Sequence, residues 1–478
     1  MSSKGEAFTK LLEEKELRDL SPYALRSPER RDKLKDRFRK GNTESLEYRT
    51  EYHRDRDRIL WSKSFKRLQH KTQIFPHYVE DHYKRRLTHS LEVAQIATTI
   101  ARALCLNEVA TEAIALGHDL GHTPFGHAGE EALNQVLRLN TQLQDQQLRR
   151  AVRKLKNEAP KEMPVPVFGF DHCVHAIEVV SRIDKEYKIE SDFRGLNLTF
   201  DVRDGILKHM SEREQNAKKP FSFIPEVVRF SEFQDFGNNR GSLEAQCVYF
   251  ADKVAYLLGD IEDGGRSGIL QCVKINKEPF FKKLQNKYEI FRKQPARLKK
   301  KADFVPLTLK EKADFVPFRS KALTTLILDC IDNATSLLND KNPKDVEDVL
   351  SSDTRFISVS PDLEQAWYAF YKKWMSEHMF RNEVVMACNF KAKKIIFDLF
   401  KAYTQNYDLI RERYREHIRE AYKRIRVTDT SLLKLITIRN YIAGMTDAFA
   451  ITQHARLYMS REHIGLSVFS EPSESSTL

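Results

Sequence analysis

Fourteen residues, HDLGHTPFGHAGEE at 118–131, hold three histidines, one aspartate and two glutamates, with three glycines and a proline threaded between them. His118 and Asp119 are adjacent and follow the apolar run EVATEAIALG. Two ionisable groups entering a core need a compensating partner. A divalent cation is the natural one, since imidazoles and carboxylates suit a first-row transition metal or magnesium and leave positions open for water and substrate. His89 lies about a helical hairpin upstream, and ADKVAYLLGDIED supplies one more carboxylate, Asp252, on an otherwise apolar helical segment. If a helix begins near His127, His127 and Glu130 share one of its faces, so the carboxylate can orient the imidazole. Gly121, Gly126 and Gly129 allow tight turns and close approach of the backbone to a neighbouring group.

The elements that must position these residues read as helices. SLEVAQIATTIARALCL places Val93, Ile96, Ala97, Ile100 and Leu104 on one stripe, and EVATEAIALGHDL continues in kind with Ala110, Ile114 and Gly117. Residues 361–426 and 431–460 are also expected to form long amphipathic helices. Strand alternation is confined to short candidates such as VPVFGF at 165–170. The expected class is all-α. Residues 1–50 read as a charged N-terminal arm, 51–275 as the core, 276–320 as an insertion or linker, and 321–478 as a second helical region. The linker holds KADFVP twice, at 301–306 and 312–317, which reads as a local duplication in a loop. Asn140 to Lys161 reads as a surface insertion and SEPSESSTL as a frayed tail.

Composition sets limits. The 478 residues are 41% hydrophobic and 31% charged, as in a globular protein with a large core. The N-terminus lacks the apolar stretch of a secretory signal, and no run reaches the length needed to span a bilayer, so a cytoplasmic location is expected. The six cysteines are scattered without a CxxC pair, which indicates neither a thiolate zinc site nor a disulfide framework. A net charge of +12, with basic clusters at Arg26 to Lys40, 54–58, 282–288 and 297–303, leaves solvated helix faces and an anionic partner as alternatives.

His89…His118-Asp119…Asp252, in that order, resembles the HD superfamily of metal-dependent phosphohydrolases. The match extends through RDRDRILWSKSFKRLQHKTQIF, RLTHSLEVAQIA, EAIALGHDLGHTPFGHAGEEALN, FDHCVHAIEVVSR, GLNLTFDVRDGILKH, SLEAQCVYFADKVAYLLGDIEDG and NYIAGMTDAFA, which resemble the bacterial dGTPases. The resemblance implies an HD-type helical core with His89, His118, Asp119 and Asp252 as ligands of a divalent ion. Manganese or magnesium is foremost, and iron, nickel, cobalt and zinc are also admitted. It further implies His127 and Glu130 as a catalytic pair and His122 beside the α-phosphate. Arg86 and Lys253 fall on phosphate-binding positions, and Tyr256 and Asp260 on sugar-binding ones. Gln73 and His172 align with further substrate contacts. Asp447 matches a typical position without an evident chemical role. Cys173 and Val174 stand where more polar residues are expected, which bears on base selectivity.

The implied reaction is hydrolysis of dGTP to deoxyguanosine and inorganic triphosphate, with attack of water at the α-phosphorus and loss of the 5′-oxygen. A homo-oligomer, often a hexamer in relatives, is expected, and a nucleotide effector or single-stranded DNA is compatible with the charge. Two alternatives share some of these features. Another HD phosphohydrolase, acting on nucleoside monophosphates or cyclic nucleotides, would use the same metal core. A non-enzymatic nucleic-acid-binding regulator would explain the charge but not the ligand set.

Overall fold

The computed structural model of the chain describes residues 2–30, 48–73, 84–143, 169–184, 195–209, 240–270, 275, 278–287, 312–422 and 430–459. Within them the fold is all-α. Among the described residues, β-pairing is limited to one isolated antiparallel bridge between Thr72 and Arg85. Most of VPVFGF, most of the 140–161 stretch, the first KADFVP copy and the tail lie outside the described residues.

Up to residue 266 the chain contains α1 (Ser2–Asp19), α2 (Glu51–Trp61), α3 (Lys63–Arg67), α4 (Arg86–Ala103), α5 (Glu108–Gly117) and α6 (Gly126–Leu143). It continues with α7 (His172–Glu178), α8 (Phe200–Lys208) and α9 (Leu243–Arg266). Local sequence sets the starts of several of these. Asn107 accepts from Val109 N at 3.1 Å and Ala110 N at 3.0 Å to cap α5, and Asp171, Thr199 and Ser242 cap α7, α8 and α9 in the same way. Helices α4, α5 and α9 pack on one another, and α8 closes against α5 and α9. The predicted stripe of α4 is the one that is buried: Val93, Ile96, Ala97, Ile100 and Leu104 all lie in the core. Each such valine or isoleucine contributes about 1.5–3 kcal/mol by leaving water.

The remaining helices are α10 (Pro279–Lys287), α11 (Lys312–Lys341), α12 (Val346–Ser351), α13 (Pro361–Ala369), α14 (Glu383–Gln405), α15 (Glu412–Tyr422), α16 (Thr430–Ala443) and α17 (Asp447–Tyr458). A π-helical stretch, Phe370–Phe380, follows α13 directly. The main core draws on residues from Ala24 to Val385, while a second core joins Ala132, Leu133 and Leu137 of α6 to α14, α16 and α17. Two expectations change. The 276–320 stretch is not all linker, because α10 buries Phe280, Phe281 and Leu284, and α11 begins at the second KADFVP copy. The N-terminal arm is also anchored, since the apolar Ala24 and Leu25 are fully buried and Glu244 accepts from Leu25 N at 2.9 Å.

Arg30 adds a second anchor to that arm. It donates to both oxygens of Asp201, at 3.1 and 2.5 Å, and Tyr52 Oη adds a bond of 2.8 Å to the same carboxylate. Arg30 and Asp201 are both buried. Arg30→Ala would leave a buried carboxylate with one donor fewer on each oxygen, so the expected loss is about 3–5 kcal/mol. Urea midpoints for Arg30→Ala and for the double variant with Asp201→Asn check this: the double variant should recover part of the loss, and an unchanged midpoint in the single variant would show that the arm is not held there.

Candidate metal centre and the loop beside it

α5 ends at Gly117, and the side chain of the next residue finishes the helix: His118 Nδ1 donates to Ala115 O at 2.6 Å. Its Nε2 therefore presents a lone pair. That atom is buried and without a hydrogen-bond partner, 3.5 Å from Asp119 Oδ1 and 3.9 Å from Asp252 Oδ1. His89 reaches the same place from α4, its Nε2 lying 2.9 Å from Asp252 Oδ1 on α9. One ligand atom each from His89, His118 and Asp119 lies within 4.8 Å of the others. An orphaned imidazole nitrogen, a second imidazole and two carboxylates fit a divalent cation, so these four residues could hold one.

The electrostatics agree. Burial opposes ionisation of Asp119, yet His118 and the Arg86 guanidinium hold its carboxyl well below the usual carboxylate range. Burial likewise works against Asp252, and the bond to His89 outweighs it, bringing the carboxyl down to about 2. Both carboxylates are anionic at neutral pH, the form a cation needs. Arg86 is 1% exposed and donates through Nη1 to Asp119 Oδ2 at 2.9 Å, while its buried Nε and Nη2 have no partner. Two unsatisfied guanidinium nitrogens beside the cluster are unused donors for an anion.

The loop after Asp119 is packed too closely to accept side chains at its glycines. A Cβ on Gly121 would stand 2.0 Å from His172 O and 2.3 Å from Ala176 N, which puts the loop flat against α7. Gly126 has φ +58°, and a Cβ there would lie 2.9 Å from Gln73 O and 3.1 Å from Arg86 Nη2. α6 then starts, with His127 and Glu130 on its first turn as expected.

The partners of Glu130 are more than the expected pair. Its Oε1 accepts from His172 N at 2.9 Å and lies 2.8 Å from His172 Nδ1, whereas its Oε2 is 3.5 Å from His127 Nδ1. His127 is 79% exposed, and His172 is 12% exposed. Burial raises the Glu130 carboxyl and lowers the His172 ring, but their mutual attraction prevails, keeping Glu130 ionised and pushing His172 up to about 10. His122 stacks on His172 at 3.7 Å between ring centres, and its Nε2 lies 3.2 Å from Asp119 Oδ1. Burial, with Arg86 and His172 nearby, keeps the His122 ring neutral.

The sugar-side candidates form a separate cluster one and two turns along α9. Tyr256 packs against Tyr371 at 4.9 Å, and Tyr371 Oη donates to Asp260 Oδ2 at 2.9 Å. Burial pushes the Asp260 carboxyl well above its ordinary value, despite that bond. Lys253, adjacent to Asp252 on the helix, rests with Nζ 4.2 Å over the Tyr249 ring. Gln73 has a buried Oε1 without a partner.

Sequence reasoning missed Tyr371 and His209, and left Asp447 without a role. His209 follows α8 and packs edge-on to His118 at 5.2 Å. Its position at the end of an amphipathic helix carried no local sign of this. Asp447 is a brace: its two oxygens accept from Thr72 N and Phe125 N, each at 2.9 Å. Lys71 adds a second brace, with Nζ donating to His122 O and, at 3.0 Å, to Ala443 O, while burial pushes its ammonium down to about 7. The C-terminal helices thereby hold the histidine-rich loop in place.

Residues 86–257 match the HD domain family and residues 357–456 match the phosphohydrolase-associated domain. The chain is 32% identical over 445 residues to a deoxyguanosinetriphosphate triphosphohydrolase-like protein of Bordetella pertussis, covering 92% of this chain and 97% of the relative. A protein of the same description from Thiobacillus denitrificans is 34% identical over 414 residues, 87% of this chain and 92% of the relative. Protein 1 of that description from Mesorhizobium japonicum is 32% identical over 413 residues, 86% and 89% of the two chains. With this identity along nearly the full length, on a helical fold that gathers the HD residues into one buried cluster, the chain belongs to the family of HD-domain, deoxyguanosinetriphosphate triphosphohydrolase-like proteins.

Proposed function

We propose that this HD phosphohydrolase cleaves deoxynucleoside triphosphates, dGTP foremost, to the deoxynucleoside and inorganic triphosphate. Arg86 carries this reading. A buried guanidinium with two unpartnered nitrogens beside four cation-binding groups suits a multiply charged phosphate chain, and the Tyr256–Tyr371–Asp260 cluster on the next turns of α9 suits a sugar. His89, His118, Asp119 and Asp252 would hold manganese, magnesium or a related divalent ion. When bound, that ion supplies Lewis-acid polarisation and eases deprotonation of water.

The residues of the chain do the rest. Arg86, with Lys253 and Gln73, binds the triphosphate and nucleoside, and His122, neutral and stacked, faces the α-phosphate. A water oxygen bonds to the α-phosphorus and releases a proton to solvent, the bond to the 5′-oxygen breaks, and the proton for that leaving oxygen comes from His127. Glu130 positions His127 and His172 together, one carboxylate oxygen toward each ring. Asp260 accepts the 3′-hydroxyl in place of Tyr371 Oη, and Tyr256 closes on the 2′ carbon. A homo-oligomer, and control by a nucleotide effector or single-stranded DNA, belong to the same proposal. Among the described residues no helix is long and apolar enough to cross a membrane.

The metal dependence is tested by Asp119→Ala. Dialysed wild type should carry close to one ion per chain at these four residues, and the variant should lose both that ion and turnover. Full dGTP hydrolysis in EDTA after exhaustive dialysis would defeat the assignment.

Sugar selection gives a second outcome. A ring against the 2′ carbon leaves no room for a hydroxyl, so kcat/KM for GTP should fall roughly 10²-fold or more below that for dGTP. Tyr256→Ala should narrow the gap, and equal rates on the two substrates in wild type would count against the pocket.

His127→Ala should reduce kcat by about 10²–10⁴-fold while bound metal stays constant, the range typical of a general acid. Glu130→Ala should cost at least as much, because its carboxylate serves two rings, and the double variant should be far from additive. Metal loss in step with activity in His127→Ala would make this residue a ligand or a prop instead of the acid.

A further inference from the structure

Beyond the HD donors, three ligand-type atoms converge where α7 meets the end of α8. His172 Nε2 and His209 Nε2 are 3.3 Å apart, and Cys173 Sγ lies 3.4 Å from the first and 3.3 Å from the second. The other nitrogen of each ring fixes what faces this triangle. His209 Nδ1 sits 2.5 Å from Ile206 O, and a carbonyl only accepts, so Nδ1 bears the hydrogen and Nε2 of the neutral ring is a lone pair. His172 Nδ1 donates to Glu130 Oε1 at 2.8 Å, so its Nε2 is likewise the nitrogen turned to the triangle, and it holds the extra proton that the Glu130 carboxylate stabilises until an ion displaces it. Without an ion, the His172 proton is the positive charge shared by the His209 lone pair and the sulfur.

A proton on one ring can bridge a single pair, whereas one metal ion satisfies all three donors. The distances match the second case. Around a tetrahedral zinc with bonds of about 2.0–2.1 Å to nitrogen and about 2.3 Å to sulfur, N···N separations are about 3.3 Å and N···S about 3.6 Å. A carboxylate on one imidazole and a backbone carbonyl on the other are the supports that metal-ligating histidines ordinarily have. Cys173 is fully buried, His209 is 6% exposed and His172 is 12% exposed, so His172 is the most open of the three.

We propose that His172, Cys173 and His209 form a second metal site, separate from the His89–His118–Asp119–Asp252 donors, for a thiolate-binding divalent ion of the zinc class. Binding releases the thiol proton and the His172 Nε2 proton to solvent. Cysteine spacing could not reveal it, because the third ligand lies 36 residues from Cys173. On the reading of His172 as a nucleotide contact, an ion here occupies the nitrogen that the ring would offer to substrate, so zinc and substrate compete for one side chain.

The test uses the full-length, reduced chain and cobalt(II) as a spectroscopic stand-in for zinc, and it reads metal rather than turnover, so it stands apart from the proposed reaction. Two equivalents should bind per chain, one of them with a near-ultraviolet sulfur-to-cobalt charge-transfer band. Cys173→Ala should lose that band and one equivalent, and His209→Gln should bind the second equivalent at least tenfold more weakly. Asp119→Ala should lose the other equivalent and keep the band. The proposal fails if wild type binds one equivalent without the band, if the band persists in Cys173→Ala, or if Asp119→Ala abolishes it. Should Cys173→Ala not fold, the wild-type titration and His209→Gln decide the matter.

Discussion

A guanidinium and a carboxylate, 1% and 5% exposed, meet at 2.9 Å where α4 begins and α5 ends. Neither charge could stay in this interior alone. The bond between Arg86 and Asp119 therefore fixes how two helices meet, and much of the site follows from it. Asp119 Oδ1 is left facing His118 and His122, at 3.5 and 3.2 Å. Arg86 Nη2 is left beside Gly126, where α6 starts and carries His127 and Glu130 away from the cluster. One ion pair thus orients Asp119 toward the histidines and leaves guanidinium donors open beside the start of the next helix.

The parts of this arrangement that could be read in the sequence are those whose cause is local. His118-Asp119 stood out because ionisable residues interrupt an apolar helix, and His127 and Glu130 because they stand three positions apart in a helix start. The all-α fold and the buried stripe of α4 followed from spacing alone. Residues whose partners are distant stayed hidden. Tyr371 reaches Asp260 across 111 positions, and Asp447 reaches Thr72 across 375. The preference of Glu130 for His172, 42 positions away, was obscured in the same way by the nearer His127. Apolar rings such as Phe280 and Phe281 sat in a stretch whose basic flanks made it look like a linker.

Histidine chemistry here depends on which nitrogen is occupied. His118 and His209 each use Nδ1 on a carbonyl one turn back, and His175 uses Nδ1 on Gly121 O at 2.8 Å. Helix ends and loop carbonyls thus act as tautomer selectors, leaving Nε2 of each ring as the nitrogen turned to other partners. Burial lowers His209 to about 3 and His175 to about 4, so both rings stay neutral in ordinary conditions. His172, held by a carboxylate instead of a carbonyl, is the cationic exception. The contrast arises from the acceptor that each Nδ1 meets.

The braces from Asp447 and Lys71 bear on how this protein can be dissected. A fragment ending near residue 275 would contain every proposed ligand of the HD centre, along with His127 and Glu130. It would lack Asp447 and the Ala443 carbonyl, leaving the amides of Thr72 and Phe125 and the Lys71 ammonium without their counterparts. It would also strip α6 of the apolar cover provided by α14, α16 and α17. The catalytic unit is thus not a cassette that can be cut out along the linear order of its motifs. Its boundaries are three-dimensional, and a minimal version would have to bring the last helices with it.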